Sequence, residues 1–149
     1  MTRANSNRLV LADTGFWIAY YEERDEYHAQ AVRMFDNWAL GTFLFPWPLY
    51  YELLRTRFVK HPKWVRSFRH VVADQRIKPI DDQPYRQSAL EQTFASAGDR
   101  GRSISLADWV LRLVLDDQNW RIARLVTFNS RDFADVCRRR GIQILTADQ

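Results

Sequence analysis

Four short apolar runs and a fifth of mixed character, separated by segments with helical patterning, constrain this chain more than any other feature. Residues 9–12, 42–45, 123–127 and 142–145 are too short for helices and apolar enough to be buried as strands, and residues 76–80 read as another. Helices are predicted over 15–22 and 26–40, the second with Ala29, Val32, Met34, Phe35 and Trp38 along its apolar face. Pro46 and Pro48 close the second strand and open a helix that runs to about residue 58, and another helix spans 62–73. Asp81 is expected to cap a helix through about residue 97, followed by the loop Gly98-Asp99-Arg100-Gly101-Arg102. Ser105 begins a helix through Asp117, and Asn129 and Ser130 open the last one, which ends at Gly141 as a C-cap. Short strands alternating with helices form a parallel sheet covered on both faces. The expected fold is α/β: a single domain over residues 1–149, with a central parallel β-sheet of four to five strands and helices on both faces. Residues 1–7 are polar and are expected to form a flexible tail.

At 149 residues and 46% hydrophobic content the chain can bury a sizeable core. The one cysteine, Cys137, excludes an internal disulfide and a cysteine-based zinc site. The polar N-terminus lacks the apolar stretch of a signal peptide, and no apolar run approaches the roughly 20 residues of a membrane span. These features predict a cytoplasmic protein. The net charge of +4 comes mainly from arginine, with 19 Arg against 3 Lys. Between Arg55 and Lys78 stand eight basic residues and one acid, Asp74, with Phe58, Trp64 and Phe68 among them. Such a stretch is either an RNA track, in which cations meet phosphates and aromatics meet bases, or a solvated helix pair whose aromatics face the core.

The run Val10-Leu11-Ala12-Asp13-Thr14-Gly15 ends an apolar strand in a carboxylate. In an open α/β sheet, ligands bind beyond the carboxyl ends of the strands, although Asp before a helix is also an ordinary N-cap. Three more acids have similar double readings. Glu52 is either one solvated helix charge or a partly buried carboxylate in need of a partner, because Leu49, Tyr50, Tyr51, Leu53 and Leu54 surround it. Asp108 completes a capping box with Ser105, yet it also precedes the apolar helix Trp109-Val110-Leu111-Arg112-Leu113-Val114-Leu115. Asp132 suits a helix N-terminus and, like Asp13, follows a strand of the sheet. Acids at these positions can converge at one edge. Carboxylates held together repel, and oxygen-only ligands favour Mg²⁺ or Mn²⁺ over zinc as the relieving cation.

Taken in order, these segments resemble a known family. Leu11-Ala12-Asp13-Thr14-Gly15-Phe16-Trp17-Ile18-Ala19 resembles the opening motif of PIN-domain ribonucleases, and Tyr51-Glu52-Leu53-Leu54 their second. Ser105-Leu106-Ala107-Asp108-Trp109 is similar to the third, and Leu125-Val126-Thr127-Phe128-Asn129-Ser130-Arg131-Asp132-Phe133 to the fourth. The resemblance covers residues 9 to 145, and size points to the stand-alone, VapC-like toxin branch. Arg24-Asp25-Glu26-Tyr27-His28 also looks like a DxxH feature of some relatives, against the plainer reading of His28 as a helix-face residue.

The resemblance implies a metal-dependent endoribonuclease that leaves a 5′ phosphate and a 3′ hydroxyl. Asp13, Glu52, Asp108 and Asp132 would be the catalytic, metal-holding acids for Mg²⁺ or Mn²⁺, supported by Thr14, Thr127 and Asn129. Asn129 stands where relatives often carry an acid, so either Asp132 takes the fourth role or the site has one charge less. Arg55, Arg57, Lys60 and Lys63 would contact RNA. The implied partners are an RNA substrate, a cognate antitoxin and a second copy of the chain, with Trp47, Tyr50 and Tyr51 as candidate contacts or as core. Three other readings compete. A dehalogenase-type phosphatase needs an acid where Gly15 stands, and a receiver domain needs a paired acid and a late lysine that this sequence lacks. A PIN-like module that binds RNA or protein without catalysis is the third.

Overall fold

The chain forms β1 (Arg8–Ala12), α1 (Thr14–Tyr21), α2 (His28–Asn37), β2 (Gly41–Pro46), α3 (Trp47–Leu53), α4 (Thr56–Val59), α5 (Pro62–Ala73) and β3 (Ile77–Ile80). It continues with α6 (Gln83–Ser96), α7 (Leu106–Asp116), β4 (Ile122–Val126), a 3-10 turn (Ser130–Asp132), α8 (Ala134–Arg140) and β5 (Gln143–Leu145). The structure, a computed structural model, describes residues 8–37, 41–98 and 103–146. The expected tail 1–7, Trp38 and most of the expected loop after Gly98 lie outside the described residues.

All five strands are parallel, in the order β3-β2-β1-β4-β5. Leu11 of β1 lies between Leu44 of β2 and Leu125 of β4, all three fully buried, which is why these strands read as continuous apolar runs. Pro79, which cannot donate to a ladder, sits in the edge strand β3. From β1 the chain steps one way, to β2 and β3. From β4 it steps the other way, to β5. Right-handed crossovers then place α1–α5 on one face and α6–α8 on the other. The face under α1 is built from aromatic rings: Trp17 meets Phe16, Phe43 and Phe45 edge-on or tilted, with centroids 5.2–5.7 Å apart.

Three local expectations change. The helix expected from Pro46 to about 58 breaks after Leu53, so that Phe58 of α4 can turn inward against Tyr21 and Phe68. Asp81 supports α6 through its side chain, which accepts from the Gln83 amide at 3.0 Å, but the cap position itself belongs to Asp82. The last helix is preceded by the 3-10 turn and starts only at Ala134. Gly141 does end it, at φ +67°, as expected of a left-handed C-cap. Among the described residues, no helix is long and apolar enough to cross a membrane.

Candidate active site

The direction of the chain reverses between β1 and β4, and the crevice at the carboxyl ends of these two strands is where an open sheet leaves room for a ligand. Asp13 follows β1 there, and Thr127 follows β4. The Asp13 amide still donates to the Val126 carbonyl at 3.1 Å, so the ladder itself fixes the acid's backbone. One side-chain oxygen accepts from the Phe16 amide at 3.1 Å, capping α1. The other accepts from the hydroxyl of Thr127, which is fully buried. That hydroxyl in turn accepts from the Asn129 amide at 2.9 Å. Cap and site residue are therefore one and the same side chain.

The other acids arrive from three different elements. Glu52, half-buried in α3, accepts at 2.9 Å from the hydroxyl of Thr14, the residue after Asp13. Asp108 lies in the first turn of α7, where its amide donates to Ser105 Oγ at 3.1 Å. Asp132 ends the 3-10 turn, and the Asn129 side-chain amide donates to its carboxylate at 2.7 Å. Asn129, where relatives often carry an acid, thus bonds the acid three residues on.

The carboxylates feel one another. Burial, and secondarily the charge of Glu52, pushes Asp13 up to about 6 despite its hydrogen bonds. Asp108 is also pushed up to about 6, by burial first and then by the charges of Glu52, Asp13 and Asp132. Asp108 therefore lies within electrostatic reach of the other three acids singled out in the sequence. Among the described residues, no three His, Cys, Asp or Glu side chains are already gathered into a metal-ligand cluster. The coupling runs through the field rather than through a shared ligand point.

The fold finds counterparts among solved structures. The VapC20 toxin of Mycobacterium tuberculosis, which cleaves the sarcin-ricin loop, superposes with a TM-score of 0.66 over 85% of this chain and 94% of its own, at 18% identity. The chain has the PIN-like fold of the VapC toxins. VapBC2 of Rickettsia felis, solved on a DNA fragment from its promoter, matches with a TM-score of 0.58 over 93% of this chain and 98% of that one, at 13% identity. By sequence alone, no family model and no curated protein matches. The VapC fold is thus carried here by a sequence that has kept patterning rather than identity.

The structure separates the remaining candidates. Arg55, Arg57, Lys60 and Lys63 are all exposed, on and around α4 and at the start of α5, and among the described residues Arg57 alone of the four is in an ion pair, with Glu22 at 2.8 Å. Phe68 is core, while Trp64 is half-buried and stacks on exposed His61 at 3.8 Å. Arg55, Arg57, His61 and Trp64 line a groove of about 680 Å³ together with the acids Glu22, Glu23 and Asp25, whereas Lys60, Lys63 and the four acids Asp13, Glu52, Asp108 and Asp132 are not in its lining. Tyr50 packs on Phe45 at 4.4 Å, whereas Trp47 and Tyr51 are 43% and 75% exposed. His28 is a structural residue: its Nδ1 lies 2.7 Å from the Ala19 carbonyl at the end of α1.

One participant was not anticipated. Arg112 of α7 is 7% exposed and spans from the Asp108 helix to the Asp132 turn. The signal was present, because a lone cation in Trp109–Leu115 demands a buried partner for the same reason as Glu52 does.

Proposed function

We propose that this chain is a divalent-cation-dependent endoribonuclease and the toxin of a toxin–antitoxin pair. The observations that support the reading are that Thr14, next to Asp13, holds Glu52 at 2.9 Å and that Asp108 feels the charges of Glu52, Asp13 and Asp132. The donor set fits Mg²⁺ or Mn²⁺: it is all oxygen, and Asp13 and Asp108 are both pushed up to about 6, by burial first and then by charges that include Glu52 in each case. Those four acids would hold the ion, which when bound supplies hydroxide near neutral pH and offsets charge developing on the phosphate. The chain's own groups preorganise the acids. Thr127 and the Phe16 amide fix Asp13, Thr14 fixes Glu52, and Asn129 fixes Asp132. As in the PIN-domain ribonucleases that the sequence resembles, water rather than the RNA 2′ hydroxyl would attack phosphorus and the 3′ oxygen would leave, so the expected products carry a 5′ phosphate and a 3′ hydroxyl.

Arg55, Arg57, Lys60 and Lys63 give the substrate its electrostatic track, which an acidic centre needs if it is to attract a polyanion. The antitoxin is the proposed protein partner. A second copy of the chain is also proposed, because α6 buries only Ala89 and leaves Leu90 and Phe94 exposed one turn apart. The testing experiment compares cleavage and binding of one RNA. Glu52→Gln should lose about 10²-fold in cleavage rate and keep its RNA affinity. The triple variant Arg55→Ala, Lys60→Ala, Lys63→Ala should instead lose affinity, with the salt slope of binding falling by about 0.7 per lost phosphate contact. Equal cleavage by Glu52→Gln and wild type contradicts the reading.

A further inference from the structure

Arg112 lies one helical turn beyond Asp108, on the same side of α7. Its guanidinium leaves the helix and reaches the segment after β4. Nη1 donates to the main-chain carbonyl of Asp132 at 2.6 Å and to Asp135 Oδ1 at 2.8 Å, while Nη2 donates to Asp135 Oδ2 at 2.8 Å. The cation is buried, and its Cζ lies 4.8 Å from the centre of the Trp109 ring. A planar fork with two parallel bonds to one carboxylate and a third to a carbonyl has a single fitting geometry. Rotation or shift of the 3-10 turn breaks at least one of the three.

The consequence concerns Asp132. Its carboxylate is held by Asn129, which belongs to the same turn and moves with it. The Asn129 main-chain amide, on Thr127 Oγ1, ties the start of the turn towards Asp13, but neither bond fixes the turn relative to Asp108. The Arg112 fork does, because it ties the Asp132 main chain to the helix that carries Asp108. We infer that Arg112 is a positioning residue of the acidic site: it sets the distance between Asp108 and Asp132 and so the capacity of the site for a divalent cation. The inference rests on the proposed nuclease reading. Arg112 is placed to touch neither substrate nor cation, and Asp135 is its ion-pair partner at 2.8 Å.

The account is tested by titrating Mn²⁺ into the full-length wild type, Arg112→Lys, Arg112→Met and Asp135→Asn, reading free Mn²⁺ by electron paramagnetic resonance, with circular dichroism as the control for folding. A charge-conserving lysine cannot reproduce the fork. Arg112→Lys and Arg112→Met should therefore bind Mn²⁺ at least 10-fold more weakly than wild type while remaining folded. Asp135→Asn, which keeps the carbonyl contact, should fall between them and wild type. In RNA cleavage the same order should appear in kcat, with KM unchanged, because the basic track is untouched. Wild-type Mn²⁺ affinity in both Arg112 variants overturns the assignment and leaves the nuclease reading standing. A wild-type protein that takes up no Mn²⁺ overturns the nuclease reading and the assignment with it. If Arg112→Met unfolds, Asp135→Asn and Arg112→Lys still decide the matter by their Mn²⁺ affinity.

Discussion

Asp13→Asn is expected to raise the melting temperature of the cation-free protein at pH 8 while destroying RNA cleavage. The side chain is only 8% exposed, and its carboxyl is held up to about 6, so at pH 8 the folded protein carries a charge that its surroundings disfavour. Asparagine keeps an oxygen that can accept from the Phe16 amide and preserves the cap of α1, while its amide nitrogen gives up the bond from the buried Thr127 hydroxyl, a smaller loss than the charge relieved. It removes the charge, and with it the repulsion from Glu52. Replacing the shifted carboxyl should relieve on the order of 1–3 kcal/mol at pH 8, or several degrees in melting temperature. The cost falls on chemistry, because a neutral amide is a poor ligand for a hard cation, and the cleavage rate should drop by about 10²–10³-fold. A site that is strained for function and relaxes on mutation is the usual stability–activity trade. An Asp13→Asn protein that melts well below wild type at pH 8 would show Asp13 to be mainly a structural cap.

The same shifts set a pH dependence of opposite sign to ordinary acid denaturation. An acid whose folded pKa is raised binds its proton more tightly in the folded than in the unfolded chain. Between about pH 4 and pH 6 the native state therefore holds more protons, and stability falls as pH rises through that window. For Asp13, raised from 3.8 to about 6, the loss is on the order of 3 kcal/mol, complete above pH 6 and absent below pH 4. Asp108 adds a smaller loss over the same window, since its half-exposed side chain is screened by solvent. Other carboxylates counteract this at the acid end. Asp74, Asp116 and Asp117 are held low, by Arg76, by Arg139 and Arg140, and by Tyr85 respectively, and their stabilisation disappears only as pH drops below the ordinary carboxylate range. Denaturant melts in EDTA should thus show a stability maximum near pH 4–5. Adding Mn²⁺ should stabilise the protein at pH 8 by mass action and do nothing at pH 4.5, where protons compete for the same oxygens. A cation-free protein whose stability rises from pH 4.5 to pH 7 would show that Asp13 and Asp108 are not held up as described.

Much of this was legible in the sequence, and the exceptions have physical causes. The central strands were readable because they are buried on both faces, which forces apolar runs such as Val10–Ala12 and Phe43–Phe45, whereas the edge strands β3 and β5 are more exposed and carry a weaker signal. The acids were readable because each breaks that apolar rule or ends one of those strands. The break between α3 and α4 was not, because Leu54 and Arg55 carry no breaker; the kink exists to bury Phe58, a tertiary demand. The role of Asn129 was not readable either, since an amide in place of an acid looks like a deficit until the 3-10 turn brings it to 2.7 Å from Asp132. Arg112 was overlooked although its isolation among apolar neighbours was plain. Its partners lie 20 and 23 residues away, beyond any local pattern.

The most direct measurement of the central claim follows a mixed ribosomal and transfer RNA substrate with the purified full-length protein, first in EDTA and then with Mn²⁺ or Mg²⁺, and characterises the product ends. The four-acid account predicts no cleavage in EDTA. It predicts cleavage on addition of either cation, with 5′ phosphate and 3′ hydroxyl ends. Cleavage that persists in EDTA, products ending in a 2′,3′-cyclic phosphate, or RNA left intact under every condition would contradict it.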